Sequence, residues 1–135
     1  MQPLSPELFW LTLTVLFTGL MWAPYILQRI VEQGLFPAMG NQPAGHYEKA
    51  AWAMRLKRAH ENAVENLVLF APLAIAVHVA SYGDGMTAAA CAIYFLARVA
   101  HAVVMTLGIP VARTLAFAVG AFCNLALALR LLGML

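Results

Sequence analysis

The sequence predicts an all-α protein, a transmembrane bundle of four helices running up and down, and three observations carry that prediction. Of its 135 residues, 63% are hydrophobic and only 10% are charged, against about 45–50% and about 25% in soluble domains. Four stretches reach the roughly 20 helical residues needed to cross a hydrocarbon core. Two of the three connections are short and made of helix breakers, which sets adjacent helices antiparallel. Residues 1–135 therefore read as one integral-membrane domain.

The N-terminal run MQPLSPELFW has neither the basic flank nor the small-residue cleavage site of a secretory signal, so its apolar segment reads as a retained span. That first span covers about Leu8 to Ile30, with Pro24 inside it as an expected kink. The stretch GLFPAMGNQPAG from Gly34 to Gly45, with its prolines and glycines, is the one long connection, ending at His46. The second helix starts near Tyr47 in charged form and becomes fully apolar from Leu67 to Ser81. Gly83-Asp84-Gly85 turns the chain into a third span, about Met86 to Leu107. Gly108-Ile109-Pro110 turns it into a fourth, about Val111 to Leu132. Cys91 and Cys123 fall in apolar sequence at no metal or redox spacing and read as small buried residues.

Basic residues set the expected orientation. Five of the eight Lys and Arg lie between Arg29 and Arg58, whereas the turn between the second and third spans carries only Asp84. The excess of positive charge places the first loop, and the third with Arg113, in the cytoplasm, and both termini on the opposite side. A net charge of +2 with no massed basic face gives no reason to expect nucleic acid. His46, His60, His78 and His101 form no metal pattern, and His60-Glu61 lacks the second histidine of a zinc-protease helix, so no metal is expected.

The polar residues are concentrated where the second helix enters the membrane, in RLKRAHENAVENLVLF. Arg55, Arg58, Asn62, Glu65 and Leu69 follow 3-4-3-4 spacing along one helix face, with Asn66 beside them. Snorkelling accounts for the basic residues but leaves Glu65, deeper in the span, in need of a partner. The third helix offers a matching line of Tyr94, Arg98, His101 and Met105, and a Glu65–Arg98 contact would answer both desolvation costs. Arg113 opens the fourth helix at the same end. Several cations, one carboxylate and amides gathered there suit a small zwitterionic peptide with more than one carboxylate. His78 reads as a core or interfacial residue, and Asn124 as an interhelical hydrogen-bonding group.

The run Arg58-Ala-His-Glu-Asn62-Ala-Val-Glu65-Asn66, on the second of four apolar helices, resembles the signature of the MAPEG family, the membrane-associated proteins of eicosanoid and glutathione metabolism. The family's Arg-x-x-x-Asn-x-x-Glu is met by Arg58, Asn62 and Glu65, and its aromatic-x-x-x-Arg on the third helix by Tyr94 and Arg98. The resemblance implies a homotrimer in membrane lipid, with glutathione as co-substrate bound between neighbouring protomers. It implies that Arg58, Asn62, Glu65, Asn66, Arg98 and His101 bind glutathione, joined by Arg29 and His60 from the adjacent subunit. Arg113 lies near the place of the arginine that stabilises the thiolate, which lowers a thiol pKa and enlarges the nucleophilic fraction. The implied reaction is transfer of the thiol to a lipophilic electrophile arriving from the bilayer, with peroxidase activity as a variant. The compact chain fits a bacterial inner-membrane member. Asn66, His101 and Met105 stand where relatives often carry tyrosine, which removes phenolic hydrogen bonds from the site. Two rivals of other classes are a catalytically silent trimer used for binding or scaffolding, and a small multidrug transporter. The transporter requires a carboxylate in its first span, and none occurs between Leu8 and Ile30.

Overall fold

In the computed structural model, which describes residues 2–46 and 48–135, six helices follow one another. They are α1 (Pro6–Leu20), α2 (Trp22–Gln33), α3 (Leu35–Met39), α4 (Ala51–Val79), α5 (Gly85–Thr106) and α6 (Pro110–Leu131). With α1 and α2 taken as one, four helical segments are long and apolar enough to cross a membrane. The protein is an all-α four-helix bundle and an integral membrane protein.

The first span bends where proline chemistry requires it. Pro24 has no N–H to bond the carbonyl of Leu20, and α1 ends at that residue, with Met21 N–H turning back to Thr18 O at 3.3 Å. Ser5 caps the start of α1, its hydroxyl accepting from Leu8 N–H at 3.3 Å, with Pro6 at the first helical position. Tyr47, where the sequence placed the start of the second span, lies outside the described residues; α4 begins at Ala51. The 29-residue α4 runs through Pro72 without ending. Within the long connection Gly34, at φ 86°, redirects the chain into the short α3.

Helix α5 is the hub, packing against α1, α4 and α6. Phe70 of α4 stacks on Tyr94 of α5 with centroids 3.8 Å apart. Leu11, Val77, Cys91, Cys123 and Leu127 complete that cluster, and both cysteines are buried free thiols. Nearer the first loop the contacts are small: Ala59, Ala63 and Ala102 around Met21. Small residues let helix backbones approach closely in a bilayer, where dispersion contacts rather than water exclusion hold helices together. Val68, Val79, Leu115 and Phe122 point outward, while Glu7, Arg98, His101 and Asn124 are buried. Lipid rather than water is the solvent that this arrangement suits. Asn124 does not make the interhelical bond expected of it; its Oδ1 is buried without a partner among the described residues.

The first loop is tied to the bundle by Arg29 of α2, which pairs with buried Glu48. Burial pushes the Glu48 carboxyl up, but the Arg29 hydrogen bond and charge, helped by His46 and Lys57, outweigh it and hold the carboxyl below its ordinary value. A depressed folded-state value means that this tether contributes fully above the unfolded value, near 4.3, and is lost as pH falls through the folded one. Acidification below about pH 4 should therefore release the loop ahead of the bundle. Hydrogen exchange of the His46 N–H, which bonds Pro43 O at 3.0 Å, measures this; protection that persists at about pH 2 would refute the tether.

Candidate functional site

The charged line on α4 straddles two faces. A helix turns by about 100° per residue. Measured from Asn62, Arg55 and Asn66 are therefore rotated by about 20° and 40° towards the side of buried Ala59 and Ala63, and Arg58 and Glu65 by about 40° and 60° the other way. The surroundings follow that division. Arg55 Nε donates to Thr106 O at the end of α5 at 2.8 Å, Asn62 turns to Arg98, and Arg58 and Glu65 are exposed on the outer flank.

Arg98 is the centre of the inner half and is only 2% exposed. Its Nη2 donates to Asn62 Oδ1 at 2.7 Å and lies 3.4 Å from His101 Nδ1. The expected Glu65–Arg98 contact is thus corrected: the guanidinium is held by an amide and an imidazole, because Glu65 faces away from α5. Asn66 spends its side chain locally, donating to Asn62 O at 2.8 Å. Gly120 of α6 packs against Tyr94 and Arg98, and a Cβ there would stand 3.6–3.8 Å from them, so an alanine would fit.

The geometry also fixes a proton. A guanidinium only donates, so Nδ1 of His101 is the acceptor and a neutral ring carries its hydrogen on Nε2. Nε2 has no partner among the described residues and is not sealed off. His101 and Asn62 line a cavity of about 240 Å³ with Met105, Arg113, Thr114 and Phe117. The cavity is therefore lined by an imidazole, an amide and the Arg113 guanidinium, which is exposed.

Of the residues singled out in the sequence, Asn62, Arg98, His101 and Arg113 come together. Arg58 and Glu65 flank them on the outer surface. Arg29 and His60 do not join them within the chain: Arg29 is paired with Glu48, and His60 Nδ1 lies 2.9 Å from Tyr25 Oη. Thr114 and Phe117 were missed, although Phe117, four residues beyond Arg113, shares its helix face, and Thr114 lies one turn before Phe117. The clamp at the end of α5 was missed as well. Gly108, at φ 78°, brings its backbone against Arg55, where a Cβ would lie 3.4 Å from the guanidinium carbon, and no spacing in the sequence announces that approach.

The cavity thus brings an imidazole, an amide and a guanidinium to one space beside the buried Arg98. Comparisons with curated proteins and with solved structures gave no match. The family model described as "MAPEG family" matches residues 8–133, nearly the whole chain, and the protein belongs to the MAPEG family.

Proposed function

We propose that the protein is a glutathione-dependent transferase for lipophilic electrophiles, working as a homotrimer through one domain made of residues 1–135. The observation that carries this reading is the cavity in which His101, held by Arg98, and Arg113 converge. Three cationic or N–H groups facing one space favour an anion, and the glutathione thiolate and carboxylates are anions. Arg113, at the lip, stabilises the thiolate; the thiol proton leaves to solvent, and sulfur attacks the electrophilic carbon. A C–S bond forms as the carbon–leaving-group bond breaks and its electron pair departs with the leaving group. His101 Nε2–H supplies the donor that a tyrosine hydroxyl supplies in relatives.

Arg58 and Glu65 lie on the outer flank, where a neighbouring protomer completes the site. In this reading Arg29 and His60, which do not line the cavity of their own chain, serve that of the next protomer. Exposed Val64, Val68 and Leu69 on the same helix give the flank an apolar surround for protomer or lipid. We further propose that the first loop is cytoplasmic, both termini lie opposite, and the membrane is a bacterial inner membrane, on the strength of the basic residues around that loop.

Glutathione titration of the purified protein, with thiolate absorbance followed in the ultraviolet, tests the reading. Binding with a thiolate band in the native protein is expected, with the band lost in Arg113→Ala. His101→Gln, which keeps an N–H donor, should bind about tenfold more tightly than His101→Phe, the difference being one hydrogen bond to a charged group. Absence of glutathione binding, with the fold intact, would overturn the proposal in favour of a silent trimer.

A further inference from the structure

The end of the bundle opposite the first loop carries a second cavity, of about 520 Å³, between the start of α1, the end of α4 and the turn into α5. Glu7, Asp84, His78, Ser5 and Ser81 are among its lining residues. The two carboxylates are not equivalent. Asp84 is fully engaged: it caps α5 through Met86 and Thr87 N–H at 2.9 Å and pairs with Arg130 at 2.8 Å. Glu7 is 2% exposed and accepts one hydrogen bond, from Thr87 Oγ1 to Oε1 at 2.6 Å. No cation pairs with it among the described residues, and its Oε2 has no partner there.

A buried carboxylate held by a single neutral donor is costly at the margin of a hydrocarbon core. The backbone has nevertheless been shaped to keep it. Gly83 lies so close that a Cβ there would come within 3.0 Å of Glu7 Oε1. Ser81 occupies the left-handed position (φ 59°) that closes α4, with Ser81 N–H on His78 O and Tyr82 N–H on Val77 O, a position that glycine normally fills. A serine there places a hydroxyl at a lip it shares with His78.

The occupant can be read from the surroundings. Glu7 Oε2 asks for a cation that donates hydrogen bonds, while the Ser81 hydroxyl and the His78 ring offer donors to an anion close by. Leu4, Val79, Tyr82 and Met86, each next in sequence to a lining residue, are exposed and apolar, as suits acyl chains. We propose that this cavity binds an ethanolamine phosphodiester, its primary ammonium on Glu7 and its phosphate at Ser81 and His78. A choline headgroup lacks the N–H to bond Oε2, and a glycerol headgroup lacks the charge. This site is independent of the glutathione reading.

Native mass spectrometry of the full-length protein, released from mixed micelles with equal phosphatidylethanolamine, phosphatidylcholine and phosphatidylglycerol, tests the proposal. Phosphatidylethanolamine should be retained about tenfold or more over the other two, the value of one charge-assisted contact. Glu7→Gln should abolish that preference, whereas Glu65→Gln should leave it intact. A parallel titration with free glycerophosphoethanolamine separates the sources: a response only to the lipid assigns a membrane headgroup, and an equal response assigns a soluble phosphodiester. Should Glu7→Gln fail to fold, Ser81→Gly decides: relief of the left-handed strain should preserve the fold, while retention of phosphatidylethanolamine falls with the loss of a phosphate contact. Equal retention of the three lipids without a response to the free compound overturns the proposal, as does a preference that survives Glu7→Gln or phosphatidylethanolamine retention that is unchanged in Ser81→Gly.

Discussion

Glu65→Gln and Arg58→Ala should each weaken glutathione binding by about 10- to 100-fold, the worth of a hydrogen bond to a charged group at roughly 1.5–3 kcal/mol. Neither should change protomer stability by more than about 0.5 kcal/mol, the usual span for exposed positions. The expectation rests on the outward placement of both side chains, which form no ion pair within the described chain. Had Glu65 neutralised Arg98, its loss would have left a buried cation unpaired and would have cost stability instead of affinity. Arg58→Lys should recover only part of the binding, since an ammonium cannot present the planar fork that grips a carboxylate at two points. Isothermal titration and thermal melts on the same preparations separate the two effects. A drop in melting temperature without loss of affinity would remove Glu65 from the site.

The largest loss of stability is expected from Asn62→Leu. It strips Arg98 of its 2.7 Å acceptor and leaves a buried guanidinium with only the 3.4 Å approach of His101. A cost of about 2 kcal/mol follows from the charged hydrogen bond, above the roughly 0.6 kcal/mol average for polar contacts between membrane helices, because the group abandoned is ionic and buried. Arg98→Met in the Asn62→Leu background should restore much of that loss, because the stranded charge is then gone. Arg98→Met and Glu65→Gln should be additive, since the two side chains do not meet. Additivity in the Asn62–Arg98 pair, measured by reversible unfolding in mixed micelles, would deny that the pair is coupled.

Much of this molecule follows from local rules visible in the sequence. Hydrophobic length gives the spans Met86–Leu107 and Val111–Leu132, which differ from α5 and α6 by a residue at either end, and proline chemistry gives the break before Pro24. The motif on α4 and its partner on α5 are likewise legible, because spacing of three and four fixes which side chains share a helix face and which family carries them. What spacing cannot fix is the rotation of that face against its neighbours. Asn62 and Glu65 differ by about 60° about the helix axis, and the small residues Ala59, Ala63 and Ala102 that seat α4 on α5 decide that the amide, not the carboxylate, meets Arg98. The sequence by itself thus determined a four-helix membrane protein of the MAPEG family and the residue types of its candidate site. Tertiary structure alone decided the acceptor of Arg98, the proton position on His101, the cradle of Gly108 around Arg55 and the burial of Glu7 against Gly83, because each depends on the approach of backbones distant in sequence.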